Sequence, residues 1–197
     1  MGADAVMVLF HLYIYPNDDE MYQHFETIAT KSEMPVMLYN LARISGKDVS
    51  VKVIGRLVEG NHLNSAKEST RDFVHTTELV QVCGNKATVL KGHAEDFLRA
   101  LRIGVKGNVT TASSCIPGIF VSISDSYQKG EYEKAAELHH ILMPLISMMR
   151  RTNDVKMTKE ALSLLGHPVG SPRRPLAPAT KEEREELRRI LSDLKLI

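Results

Sequence analysis

Short runs rich in Val, Ile and Leu alternate with longer amphipathic stretches through the first part of the chain, and this rhythm constrains the fold more than any other feature. The runs occupy residues 5–10, 35–40, 62–68, 87–92 and 108–112. They recur every roughly 20 to 30 residues, the length of a strand-plus-helix unit. Between them, residues 18–32 carry Met21, Phe25 and Ile28 at helical intervals, and residues 94–103 carry Phe97, Leu98 and Leu101 in the same way. Strand, helix, strand in repeated order predicts an α/β fold with a parallel sheet.

After residue 115 the pattern changes to helices alone, at 116–129, 132–149 and 154–165, with Gly130 and Gly166 as stops. A proline-rich connector, HPVGSPRRPLAP, leads into a last helix from Thr180, whose hydroxyl and Glu183 have the spacing of a capping box. The chain is therefore expected to divide into residues 1–115, with five parallel strands, and residues 116–197, with C-terminal helices. A closed (β/α)8 barrel needs eight strands and roughly 250 residues, more than the 197 here. The pattern leaves two architectures open: a partial TIM barrel made of five βα units, or an open doubly wound sheet complete with five strands.

Apolar residues make up 43% of the chain and charged residues 25%, which predicts a globular protein with a sizeable core. Lys plus Arg number 25 against 24 Asp plus Glu, and no long block of one sign stands ready to grip a phosphate backbone, so no nucleic-acid partner is expected. The opening residues are apolar but carry Asp4, lack a basic n-region and are too few to span a bilayer, and Val6 does not fit an N-myristoylation signal. The expectation is a cytoplasmic protein with no membrane partner. Cys83 and Cys115 stand far apart, as two buried thiols of a reducing compartment would. No HxH or HExxH spacing occurs among the eight histidines, and His139 and His140 lie on an amphipathic stretch, so no metal is expected. Neither a GxGxxG nor a GxxxxGK[ST] loop is present. Ser113, Ser114 and Cys115 lack a GxSxG elbow and read as the start of a helix.

Two residues can carry chemistry. Lys67, in HLNSAKE, sits near the end of a predicted strand, where burial disfavours an ammonium and a neutral amine is a nucleophile for carbonyls. The alternative is a lysine whose head escapes to pair with a carboxylate. Tyr39 ends the preceding strand, PVMLYN, so its phenol can converge with Lys67 and shuttle protons, or it is a half-buried tyrosine with a satisfied hydroxyl.

These residues stand within a longer series: GADAVMV leading to a loop with Tyr and Pro, then MYQHFETIA, PVMLYN, AKEST, LKGHAED, GNVTTASS and the tail from VKMTKEALSLLGHP. In this order and at these intervals the series resembles the dihydrodipicolinate synthase and N-acetylneuraminate lyase family of class I Schiff-base lyases. The resemblance implies that Lys67 forms an imine with a 2-oxo acid such as pyruvate and that Tyr39 relays protons. It also implies that Tyr13 completes the relay across a dimer interface and that Gly92 and Val109 lie close to the bound intermediate. No cofactor is implied, and a homo-oligomer, dimer or tetramer, is.

Where the synthases read YNVPxRTG this chain reads YNLARISG, so Ile44 takes the arginine position and Arg43, one residue earlier, becomes the candidate for the substrate carboxylate. The usual PYY of the earlier loop is HLY. The sequence begins at what resembles the fourth strand of the family's barrel, and the Gly-Thr-Thr-Gly-Glu loop of that barrel has no counterpart here. The expected activity is that of an aldolase or lyase acting through Lys67. The alternative is an N-terminally truncated, inactive relative that works through association.

Overall fold

The structure is a computed structural model, and it describes residues 2–197. The alternating part of the sequence forms β1 (Val6–Leu9), α1 (Asp18–Ser32), β2 (Val36–Asn40), the short α2 (Ala42–Ser45), α3 (Val51–Glu59), β3 (Ser65–Glu68), α4 (Phe73–Cys83), β4 (Thr88–Lys91), α5 (Phe97–Arg102) and β5 (Gly107–Asn108). Five further helices follow: α6 (Thr111–Cys115), α7 (Pro117–Gln128), α8 (Tyr132–Arg151), α9 (Asp154–Leu164) and α10 (Lys181–Asp193). No described helix is long and apolar enough to cross a membrane.

The strands lie in the order β1-β2-β3-β4-β5, with β1 to β4 parallel. That order removes the doubly wound alternative. Reversing the direction of winding is what makes an open sheet with helices on both faces, whereas crossovers of one hand that always step to the next strand keep winding the same way. Sequential winding is the arc of a (β/α)8 barrel, so the fold is a partial TIM barrel followed by C-terminal helices.

Contacts group the chain into two units, one of residues 1–93 with 99–107, the other of 94–98 with 108–197. In the first, β2 alternates strictly: Val36, Leu38 and Asn40 are buried, Met37 and Tyr39 half-buried. The buried apolar positions of the strands, Val36 and Leu38 of β2, Ala66 of β3 and Val89 of β4, pack with Phe25, Ile54, Leu57 and Leu79 into one apolar cluster. Each such Leu, Ile or Phe contributes about 2 kcal/mol on burial. In the second unit, α8 packs against α7, α9 and α10, burying Ile123, Leu142, Leu145, Met149 and Leu187.

Local signals fix most boundaries. Asn17 caps α1 by accepting from the backbone N–H groups of Asp19 and Glu20, and Glu20 accepts reciprocally from Asn17. Thr180 and Glu183 form the expected box at α10. Gly130 (φ +79°) and Gly166 (φ +87°) follow the ends of α7 and α9 in the left-handed conformation expected of stops. One expectation is corrected. The run 108–112 is not a strand throughout: β5 ends at Asn108, and Thr110, β-branched and strand-like in pattern, caps α6 by accepting from the Ser113 N–H.

Candidate active site

Parallel pairing of β2 with β3 sets Tyr39 opposite Lys67 and Asn40 opposite Glu68. Because side chains alternate across a sheet, the first pair shares the half-buried face and the second the face covered by helices. On the half-buried face Lys67 Nζ stands 3.9 Å from the centroid of the Tyr39 ring. The aromatic quadrupole attracts the ammonium form there, an interaction worth about 0.5–1 kcal/mol where water still has access. The two expected residues are thus brought together, with the amine on the ring's face. Neither Nζ nor the phenol hydroxyl hydrogen-bonds within the described residues.

Gly92 follows β4 at the same end of the sheet, its N–H donating to the Glu68 carbonyl at 2.7 Å. A Cβ on Gly92 would stand 1.7 Å from Ser69 Oγ and 3.3 Å from that carbonyl, so any larger residue must displace the Ser69 side chain. Ser69, two residues beyond Lys67, is 6% exposed, and its hydroxyl has no hydrogen-bond partner among the described residues. A buried hydroxyl left unpaired is costly, and this one was not singled out in the sequence. Nothing in its dipeptide context distinguishes it; only the orphaned oxygen does.

The remaining candidates stand elsewhere. Arg43 is exposed on α2. Tyr13, in the loop between β1 and α1, is 92% exposed at φ +75° and makes no hydrogen bond or ring contact among the described residues. Val109 follows β5 and is half-buried within the second unit. Among the described residues no group of three His, Cys, Asp or Glu converges as metal ligands would. Burial pushes the Cys83 and Cys115 thiols up to about 11, which keeps them protonated and unreactive near neutrality.

Behind the Lys67–Tyr39 face lies a buried polar network that the sequence did not announce. Glu68, 0% exposed, accepts from Asn40 Nδ2 at 3.0 Å through both oxygens and from the Thr70 N–H at 2.6 Å. Asn40 Nδ2 also donates to Asp48 Oδ1 at 2.9 Å, and the Asn40 carbonyl oxygen of the side chain accepts from the Val49 N–H at 3.1 Å. Lys91, 1% exposed, donates to the Thr70 carbonyl and to Thr76 Oγ1.

A singly wound parallel sheet, with a lysine and a tyrosine side by side at the carboxyl ends of neighbouring strands, defines an α/β-barrel protein. The chain belongs to the dihydrodipicolinate synthetase family, whose sequence model matches residues 1–194. It is 34% identical over 99% of its length to the 4-hydroxy-tetrahydrodipicolinate synthase of Prochlorococcus marinus, and it spans 65% of that relative. Among solved structures, a dihydrodipicolinate synthase from Bacillus anthracis superposes with a TM-score of 0.91 at 34% identity, over 97% of this chain and 65% of that one. A prophage protein of the family from E. coli K12, solved in complex with pyruvate, superposes at 0.91 with 25% identity, over 100% of this chain and 68% of its own.

Proposed function

We propose that the chain carries the imine-forming centre of a class I aldolase or lyase acting on a 2-oxo acid of the pyruvate type. The observation that carries this reading is the Lys67–Tyr39 pair, 3.9 Å apart at the strand ends. The pyruvate complex of the E. coli family member supports the substrate class.

The neutral Lys67 amine adds to the C2 carbonyl, and the carbinolamine loses water to give an iminium. A base then removes a C3 proton, and the electron pair of that C–H bond forms the enamine while the nitrogen loses its charge. Attack of C3 on an aldehyde carbonyl forms the new C–C bond, the aldehyde oxygen takes a proton, and water hydrolyses the iminium to free Lys67. Cleavage is the same sequence reversed. Tyr39 supplies and accepts the protons, general acid–base work worth about 10²–10⁴-fold. Since Lys67 is itself the electron sink, no metal or organic cofactor is needed. Arg43 holds the substrate carboxylate, Gly92 lends backbone close to the intermediate, and Ser69 offers its unpaired hydroxyl to a substrate oxygen. Tyr13 completes the relay in a homo-oligomer, a reading supported by the exposed Leu12, Tyr13, Ile14 and Tyr15 around it.

The test is borohydride reduction of the chain in the presence of pyruvate, followed by peptide mass spectrometry. An adduct of about 72 Da on the Lys67 peptide, absent from Lys67→Arg, is expected. A folded chain that gives no adduct overturns the reading in favour of the inactive relative.

A further inference from the structure

His75, on the first turn of α4, faces an acceptor with each ring nitrogen: Nδ1 is 3.4 Å from Glu68 Oε2 and Nε2 is 3.0 Å from the Val49 carbonyl oxygen. A neutral imidazole that donates from Nε2 to Val49 would turn the Nδ1 lone pair toward the Glu68 carboxylate, whereas an imidazolium donates to Val49 and turns positive charge toward Glu68. The first separation is that of an ion pair and not of a tight hydrogen bond, which suits a charge facing a carboxylate.

We infer that His75 is a positioning residue for the Lys67 amine, acting as an imidazolium that donates to the Val49 carbonyl and faces Glu68 as an ion pair, and so ties Glu68 to the loop between α2 and α3. The inference rests on the reading of Lys67 as the imine-forming lysine. Lys67 and Glu68 are successive residues of β3 with side chains on opposite faces, so fixing the Glu68 carboxylate fixes the backbone from which the Lys67 stem departs. Asn40 does the same behind Tyr39, and it shares the Glu68 oxygens. His75 joins this plate to Val49, and through Val49 to Asn40 again.

The groups around His75 decide its charge. Glu68 from β3 and Asp48 from the α2–α3 loop favour the cation, and Glu68 is the leading cause that raises its pKa above the ordinary value. Burial opposes, with the side chain 14% exposed. So does its place three residues into α4, where the helix dipole disfavours positive charge. On the same helix Asp72 accepts from the His75 backbone N–H. Lys91 from β4 directs its charge to the Thr70 carbonyl and the Thr76 hydroxyl.

Two measurements test this. Ring titration of His75 by NMR is expected to show a raised pKa in the wild type that falls back in Glu68→Gln. Pyruvate trapping with cyanoborohydride across pH is expected to rise as amines lose their protons and then to fall as His75 loses its own. In His75→Gln the falling limb disappears and trapping slows about 10- to 100-fold, the size expected of a displaced reacting group, while the pyruvate concentration for half-maximal trapping stays within a factor of about two of wild type. A neutral His75 at pH 7, or identical trapping profiles for the two proteins, overturns the inference. Absence of adduct in the wild type at every pH overturns the imine reading instead. The clamp itself is judged apart from pyruvate by the wild-type titration and by exchange of the Thr70 and Val49 amide protons, which lose protection as His75 deprotonates if the clamp is real.

Discussion

At Gly92 two strand ends approach so closely that a Cβ would stand 1.7 Å from Ser69 Oγ. Gly92→Ala must push Ser69 or bend β4, and overpacking of this kind costs about 1–3 kcal/mol; chemical denaturation should show a lower midpoint, and a midpoint equal to wild type would mean that the strands part freely. Lys67 and Tyr39 could be picked out in the sequence because each closes an apolar run, and the period of two then puts them on one face. Glu68, Asn40 and His75 could not. Asn40 and Glu68 meet across 28 residues of chain, and a buried carboxylate beside a lysine reads in sequence like any solvated charge. Only the register of β2 on β3 and the docking of α4 make them partners.

Elements were legible where a local device specifies them. Residues 18–32 have helical periodicity and an Asn17 capping box, and the helix spans Asp18–Ser32. At α10 the Thr180 hydroxyl accepts from the Glu183 N–H, while Glu183 also pairs with Lys156 Nζ at 2.6 Å. Thr180→Ala removes one half of the box and should cost about 1 kcal/mol, measured by thermal or denaturant unfolding; a change of a few tenths would mean that packing of Leu187 and Leu191 alone holds the helix. The run 108–112 misled because Val109, Thr110 and Thr111 have strand propensity, yet the Thr110 hydroxyl serves as a cap, and capping outweighed propensity.

Across the whole molecule, two ionic contributions to stability respond to pH in opposite directions. His75 has a raised pKa, so its contribution is complete below the ordinary 6.5 and is lost as pH rises through the higher folded value. Glu183 has a lowered pKa, chiefly through Lys156, so its contribution is complete above the ordinary 4.5 and is lost as pH falls through the lower folded value. Both are present together between pH 4.5 and 6.5. Hydrogen exchange read by mass spectrometry should lose protection in acid around residues 156–183 and in alkali around residues 48–76; a single region responding at both ends would contradict the assignment. The amino-acid sequence by itself determined the βα rhythm, most helix boundaries and the strand-end positions of Lys67 and Tyr39, because periodicity, caps and strand ends are local properties. The direction of winding, the 3.9 Å approach of Lys67 to Tyr39 and the ionic support beneath them were decided only in the tertiary structure. Each depends on which strand pairs with which, and in what register, and that choice belongs to packing between elements distant in the chain.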